Sequence, residues 1–307
     1  MMLSRVAEST YWMARYFERA EDTARLVNVT ANLLLDLPRK FQLGWEPLLD
    51  IINRRADFYK KYETASERNV IKYLVSDKDN SSSILSSIIM GRENTRSIRE
   101  ILPRDIWEAV NQLYLNARDS ASDSISRTKR FSSLRSVIFD IQCIAGIIDG
   151  TMTHDEAYHF VKIGRSLERA DMTSRILDVQ SASLLGDIQE EIRTFQTIQW
   201  VSVLKSLSAY QMYRKALHIS VRRGPVIRFL MKEKLFPRSF LHCLAEIESG
   251  VKKLPGNGDI RKFITKLSKE VEKSKPEKLD QLKLHNFIDQ LQSGLNELHG
   301  LIHKKYF

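Results

Sequence analysis

The strongest constraint on this chain is an ordered run of charges that occurs twice. Arg15-Tyr16-Phe17-Glu18-Arg19-Ala20-Glu21-Asp22-Thr23-Ala24-Arg25-Leu26 is followed 150 residues later by Arg165-Ser166-Leu167-Glu168-Arg169-Ala170-Asp171-Met172-Thr173-Ser174-Arg175-Ile176. Six positions are identical, and Glu21/Asp171, Phe17/Leu167 and Leu26/Ile176 are conservative. Further matches follow in the same order. Trp45-x-x-Leu48-Leu49 answers Trp200-x-x-Val203-Leu204, and Tyr73-Leu74-x-x-Asp77-Lys78 answers Phe229-Leu230-x-x-Glu233-Lys234. Ser83-Ile84-Leu85 answers Ser239-Phe240-Leu241, and Asp105-Ile106 with Leu113 answers Asp259-Ile260 with Leu267. An offset that drifts only between 150 and 156 fits a tandem duplication with small loop insertions. The reading is therefore one domain over 1–307, built from halves 1–149 and 150–307 that pack about a pseudo-twofold.

The expected fold class is all-α. Apolar residues recur at three- and four-residue spacing, with no sustained alternation and no Asn-Gly hairpin signal. Twelve glycines and seven prolines are few for 307 residues, and breaks are expected around Leu37-Pro38, Ser76–Ser83, Leu102-Pro103, Gly150–Thr153, Gly224-Pro225, Phe236-Pro237 and Pro255–Gly258. Thr153-His154-Asp155-Glu156 reads as a helix start with Thr153 as the N-cap.

On a helix, Arg15, Glu18, Arg19, Asp22 and Arg25 fall within about 120° of arc, opposite Met13, Phe17, Ala20, Ala24 and Val27. In the second copy Arg165, Glu168, Arg169 and Arg175 oppose Ile163, Leu167, Ala170 and Leu177. Two readings are open. The arginines can bind carboxylates in bidentate fashion, with Glu18 and Glu168 as catalytic acid or base. Alternatively, the faces are buried ion pairs that tie the halves together. Arg92-Glu93-Asn94-Thr95-Arg96 forms a second charged cluster, and Arg238 stands just before a helix start, a place suited to anions. The candidate binding residues are thus Arg15, Arg19, Arg25, Arg92, Arg96, Arg165, Arg169, Arg175 and Arg238.

Other chemistries find less support. A single Glu156-x-x-His159 falls short of a bundle metal site, which needs two such pairs and two more carboxylates, so no metal is expected. No Gly-rich phosphate loop is present, and no cofactor is expected. Cys143 and Cys243 lie in apolar stretches and read as packed, reduced thiols. Much of the net charge of +10 lies after Gly250, in lysines spaced by glutamates, the pattern of a solvated helix face rather than of nucleic-acid binding. No apolar run nears the ~20 residues of a membrane span; the longest candidates are Cys143–Ile148 and Leu33–Leu35. The first residues lack the apolar core of a signal peptide, so a cytoplasmic location is expected.

Tyr11-Trp12-Met13-Ala14-Arg15 through Glu21, Gly164 through Asp171, Arg92-Glu93-Asn94-x-Arg96-Ser97, Trp107-Glu108 with Asn111 and Leu113-Tyr114, and Pro237-Arg238-Ser239 together resemble the bacterial alpha-E family. The resemblance covers nearly the whole chain apart from the lysine-rich C-terminal part. It implies a helical domain with a Glu-Arg motif. It also implies a partnership with an ATP-grasp-type amide ligase, with transglutaminase-like and other peptidase-like proteins as neighbours. The family has no securely established catalytic residues to carry over. The leading expectation is an accessory or substrate-binding subunit that grips an acidic or peptide substrate. The alternative is a stand-alone helical enzyme acting on carboxylates or amides through a Glu/Arg site.

Overall fold

The computed structural model describes residues 2–36, 44–182 and 190–307. Among the described residues there is no strand. The expected break at Leu37-Pro38 lies outside them. The first half contains α1 (Ser4–Asp36), α2 (Glu46–Ile51), α3 (Arg55–Tyr59), α4 (Glu67–Val75), α5 (Ile84–Ser97), α6 (Arg104–Asp119), α7 (Ala121–Ile125) and α8 (Arg130–Thr151). The second contains α9 (Glu156–Ala182), α10 (Glu190–Ser206), α11 (Tyr210–Leu217), α12 (Arg223–Lys232), α13 (Phe240–Val251), α14 (Gly258–Lys273) and α15 (Gln281–Tyr306).

Local chemistry sets several helix starts. The side chains of Ser66, Ser83, Ser239 and Asp280 each accept a hydrogen bond from the backbone N–H three residues on, which satisfies an otherwise orphaned donor. At α9 the cap is Asp155 rather than Thr153: its carboxylate accepts from the Ala157 and Tyr158 amides, and the helix begins one residue later. Asp155 has a compact anionic acceptor at the site nearer the first turn, which outcompetes the Thr153 hydroxyl.

The centre of the molecule is the pair α1 and α9, which run side by side in the same direction. The Met2 amide donates to Glu156, Arg15 pairs with Glu168, and Glu18 pairs with Arg169, so the partners keep a separation of 151 to 154 residues along the pair. Helix α1 is further packed by α5, α8 and α10, and α9 by α13, α15 and α2. This enclosure explains why α1 buries not only Tyr11, Met13, Phe17, Ala20, Ala24 and Val27 but also much of its charged side. Two glycines permit the approach. A Cβ on Gly164 would lie 2.4 Å from the Tyr11 carbonyl oxygen, and one on Gly91 of α5 would lie 2.5 Å from the Phe17 ring.

The lysine-rich C-terminal segment folds as two amphipathic helices. Helix α14 turns Ile260, Ile264, Leu267 and Val271 inward, and α15 does the same with Leu284, Ile288, Leu291, Leu295, Leu298 and Ile302. The lysines between them are solvated, as their alternation with glutamates suggests. Two expectations about α8 need correction. The helix is long and apolar enough by composition to cross a membrane, yet only a third of its most apolar stretch is buried in the bundle. Its apolar residues are dispersed around Arg135 and Asp140, so they form no run. Cys143, on the same helix, is exposed, whereas Cys243 in α13 is buried.

Replacing Gly164 with alanine forces α1 and α9 apart, and a loss of about 1–3 kcal/mol is expected in denaturant unfolding. Gly146→Ala in α8, where an added Cβ meets nothing within 4 Å, is expected to be neutral or to stabilise by up to about 1 kcal/mol.

Candidate functional site

Helix α1 projects Arg15, Glu18 and Arg19 toward α9, and α9 returns Glu168 and Arg169. The pairing is reciprocal. Glu168 accepts from the Arg15 Nε at 2.7 Å on one oxygen and from the Arg19 Nε at 2.6 Å on the other. Glu18 accepts from the Arg169 Nε at 2.8 Å, and a second guanidinium, that of Arg238, lies 2.7 Å from the same oxygen. Both glutamates are buried. Against the upward push of burial, Arg169 and Arg238 pull the Glu18 carboxyl down to about 2, and Arg19 and Arg15 pull Glu168 to about 2. A carboxylate held so low is a weak base and has no proton to donate near neutrality. Glu18 and Glu168, expected as catalytic groups, each meet two guanidiniums, Glu18 those of Arg169 and Arg238 and Glu168 those of Arg15 and Arg19.

Arg238 is the residue whose position differs most from its sequence reading. It is buried rather than presented to an outside anion. Its guanidinium spans three carboxylates of α1: Glu18 at 2.7 Å, Glu21 at 3.0 Å and Asp22 at 2.5 Å. Its carbonyl accepts from the Thr173 hydroxyl at 2.8 Å, which fastens the turn before α13 to α9. Three acids share this one cation, and Glu21 also takes Arg25 and the Gln142 amide. Burial, with Glu18 and Glu21 adding to it, raises the Asp22 carboxyl to about 7 in spite of Arg238. Among the described residues the second Asp22 oxygen has no hydrogen-bond partner.

The remaining candidates separate into groups. Arg15 also stacks over Trp12, 4.8 Å from the ring centroid, and donates to the Tyr11 hydroxyl, which meets His299 Nδ1 at 2.9 Å and so ties α15 to the pair. Burial, then Arg15, lowers His299 to about 4, so the imidazole is neutral. Arg165 has no ion-pair partner among the described residues, and burial together with neighbouring Arg169 lowers its pKa. Arg25 lies on Glu21 and lines a groove with Phe131 and Phe139 of α8. Arg92 and Arg96 do not join the site. Arg92 turns to α6, where it stacks on Trp107 and Tyr114 and donates to Asn111, and exposed Arg96 pairs with Glu93. Their sequence cluster gave no sign of direction, since the aromatic partners come from another helix.

One flank of the interlock is open. A cavity of about 270 Å³ is lined by Arg19, Glu168, Asp171, Met172 and Arg175 on the central pair. Ile51, Ile52, Asn53 and Arg54 after α2, and Ser82 before α5, complete it. Asn53 has φ 53°, a left-handed conformation that turns the chain around the rim. Arg175 pairs with Asp171 at 2.9 Å through its Nε. Sequence reasoning missed Asn53, Arg54 and Ser82, whose only signal was their proximity to the repeated Trp45 and Ser83 landmarks. Wider, shallow grooves beside α14 hold none of these residues. Glu156 of the Glu156-x-x-His159 pair accepts from the Met2 amide. Among the described residues Asp178, His285 and Asp289 converge, as surface groups in which His285 pairs with Asp178 at 2.8 Å.

A family model described as a predicted alpha-helical domain with a conserved ER motif matches residues 2–307. The chain belongs to the alpha-E family. The match includes the lysine-rich helices α14 and α15, so the alpha-E domain extends further than the sequence motifs reached. The chain is also 21% identical over 320 residues to an uncharacterized protein of Mycobacterium bovis and to uncharacterized proteins of two Mycobacterium tuberculosis strains, covering 97% of this chain in each case. It spans about a third of the length of these curated relatives, 35%. No solved structure matches it. Glu-Arg occurs at Glu18-Arg19 and Glu168-Arg169, the pairs that interlock α1 and α9, and also at Glu67-Arg68.

Two outcomes test this geometry. Stability is present above the usual glutamate range near 4.5 and should be lost as pH falls toward the folded values of about 2 for Glu18 and Glu168. Asp22 has the opposite sign: its contribution is full below 3.8 and is lost as pH rises through about 7, so Asp22→Asn should flatten the stability profile between those values. Arg238→Met leaves buried acids without their cation and is expected to cost about 3–5 kcal/mol, part of which Asp22→Met added to it should restore. Urea melts of the single and double variants would measure both.

Proposed function

We propose that this chain is an accessory, substrate-binding subunit that works in the cytoplasm with an ATP-grasp-type amide or peptide ligase in a bacterial peptide-making system. The observation that carries this reading is the open flank of the interlock. There Arg19 and Arg175 hold Glu168 and Asp171 through Nε and, with Arg54, which also pairs with Asp57, line a cavity of small-ligand size. Such a site holds and orients charge, the task of positioning residues. It offers no poised proton-transfer group and no nucleophile, so activation of a carboxylate falls to the ligase, with a transglutaminase-like protein as a further partner.

The length of the relatives supports a shared task. Where the matching segment is about a third of a polypeptide, the remaining two thirds can carry a companion activity on the same chain. We also read the chain as a tandem duplication of 1–149 and 150–307 about a pseudo-twofold. The parallel run of α1 and α9, the reciprocal Glu18–Arg169 and Glu168–Arg19 pairs, and the Ser83 and Ser239 caps that start α5 and α13 all support it. An acidic or peptide substrate suits the arginine-lined flank.

Co-expression with an ATP-grasp-type ligase of the same organism should give a stable complex whose ADP release with amino-acid substrates exceeds that of the ligase alone. Arg175→Gln in this chain should lower that rate roughly tenfold, in line with loss of one charged hydrogen bond, without preventing assembly. A ligase that neither binds the chain nor changes its turnover would contradict the reading.

A further inference from the structure

The two flanks of the interlock can be compared residue by residue. On one, Arg238 precedes the N-cap Ser239 of α13 and inserts its guanidinium among Glu18, Glu21 and Asp22. On the other, Ser82 precedes the N-cap Ser83 of α5 and faces Glu168, Asp171 and Met172. One arginine and one aspartate of the first flank are thus replaced by a serine and a methionine. The space that Arg238 fills on the first flank corresponds to the cavity on the second.

We propose that this cavity binds the carboxylate end of an amino acid or short peptide, seated on Arg19 and Arg175. The assignment rests on the binding-subunit reading above and names its substrate class. A cation in the position of Arg238 is disfavoured, because both Glu168 oxygens are taken by Arg15 and Arg19 and Met172 stands where Asp22 would face it. An anion meets better provision. Arg19 and Arg175 use Nε on their acids, and neither pairs with a second acid among the described residues, so their terminal N–H groups are left for a ligand. Ser82 and Arg54 also line it, Arg54 being held by Asp57 and the Ser81 hydroxyl. The arginines Arg15, Arg19 and Arg175 outnumber Glu168 and Asp171, which leaves an excess positive charge. Met172, Ile51 and Ile52 form an apolar wall suited to an aliphatic stem, and 270 Å³ is amino-acid sized, below the usual range for larger ligands.

Calorimetric titration of the isolated chain with the dipeptide alanyl-glutamate, without ligase or ATP, tests the assignment separately from the partnership. Saturable one-to-one binding is expected, weakened roughly tenfold or more by Arg175→Gln and abolished by Ser82→Arg, which supplies this flank with the arginine of the other. Far-UV circular dichroism and melting of each variant confirm folding, and Arg175→Gln, at a partly exposed position, remains decisive if Ser82→Arg does not fold. No saturable binding, binding untouched by Arg175→Gln, or preference for agmatine or inorganic phosphate over the dipeptide would overturn the proposal. If the dipeptide binds but the ligase does not, only the partnership fails.

Discussion

Two carboxylates buried between parallel helices, each gripped by at least one guanidinium from the facing helix, are the constraint around which this molecule is arranged. Removing charges from water costs several kcal/mol per ion, and such a site persists only where geometry satisfies every partner. Here Glu168 uses both oxygens, and Glu18 has Arg169 and Arg238. The surrounding structure serves that requirement. Gly164 and Gly91 bring backbone and ring close enough, and helices α5, α8, α10, α13 and α15 pack around the pair.

Such an interlock contributes specificity more than raw stability. A one-residue slip of α1 along α9 would leave buried arginines and glutamates unmatched, so the pairing selects one register among those that the apolar faces alone would accept. The same requirement accounts for Arg238. The acids Glu18, Glu21 and Asp22 exceed what Arg25 and Arg169 neutralise, and the turn before α13 supplies the missing cation. On the other flank the acids are fewer, the turn before α5 supplies only Ser82, and space remains. The proposed binding cavity lies where the neutralising network stops short.

Much of this was legible in the sequence, for physical reasons that can be named. The helical fold follows from apolar spacing and scarce Gly and Pro, and the capping Ser83 and Ser239 lie where the turn residues indicated. The repeated order Arg-x-x-Glu-Arg marked both charged faces but left two readings open, a ligand site or buried ion pairs between the helices, because charge order shows that a face has a specific partner without showing which. What stayed hidden depends on tertiary geometry. Arg238 reads as a loop residue by its neighbours, and only the fold brings it within reach of Asp22. Arg92 and Arg96 carry a similar charge pattern to the central motif, but their helix turns them toward α6 and solvent. Helix α8 escaped a search for apolar runs because its hydropathy is dispersed, and Cys143 is exposed on it for the same reason.

The central claim is that Glu18 and Arg169 are direct partners across the two halves. A double-mutant cycle in urea unfolding with Glu18→Gln, Arg169→Gln and the pair tests it most directly. The account predicts a coupling energy of about 1–3 kcal/mol, with the double variant losing clearly less than the two single losses summed. Strictly additive losses would mean that the two groups do not meet, and the interlock would have to be abandoned.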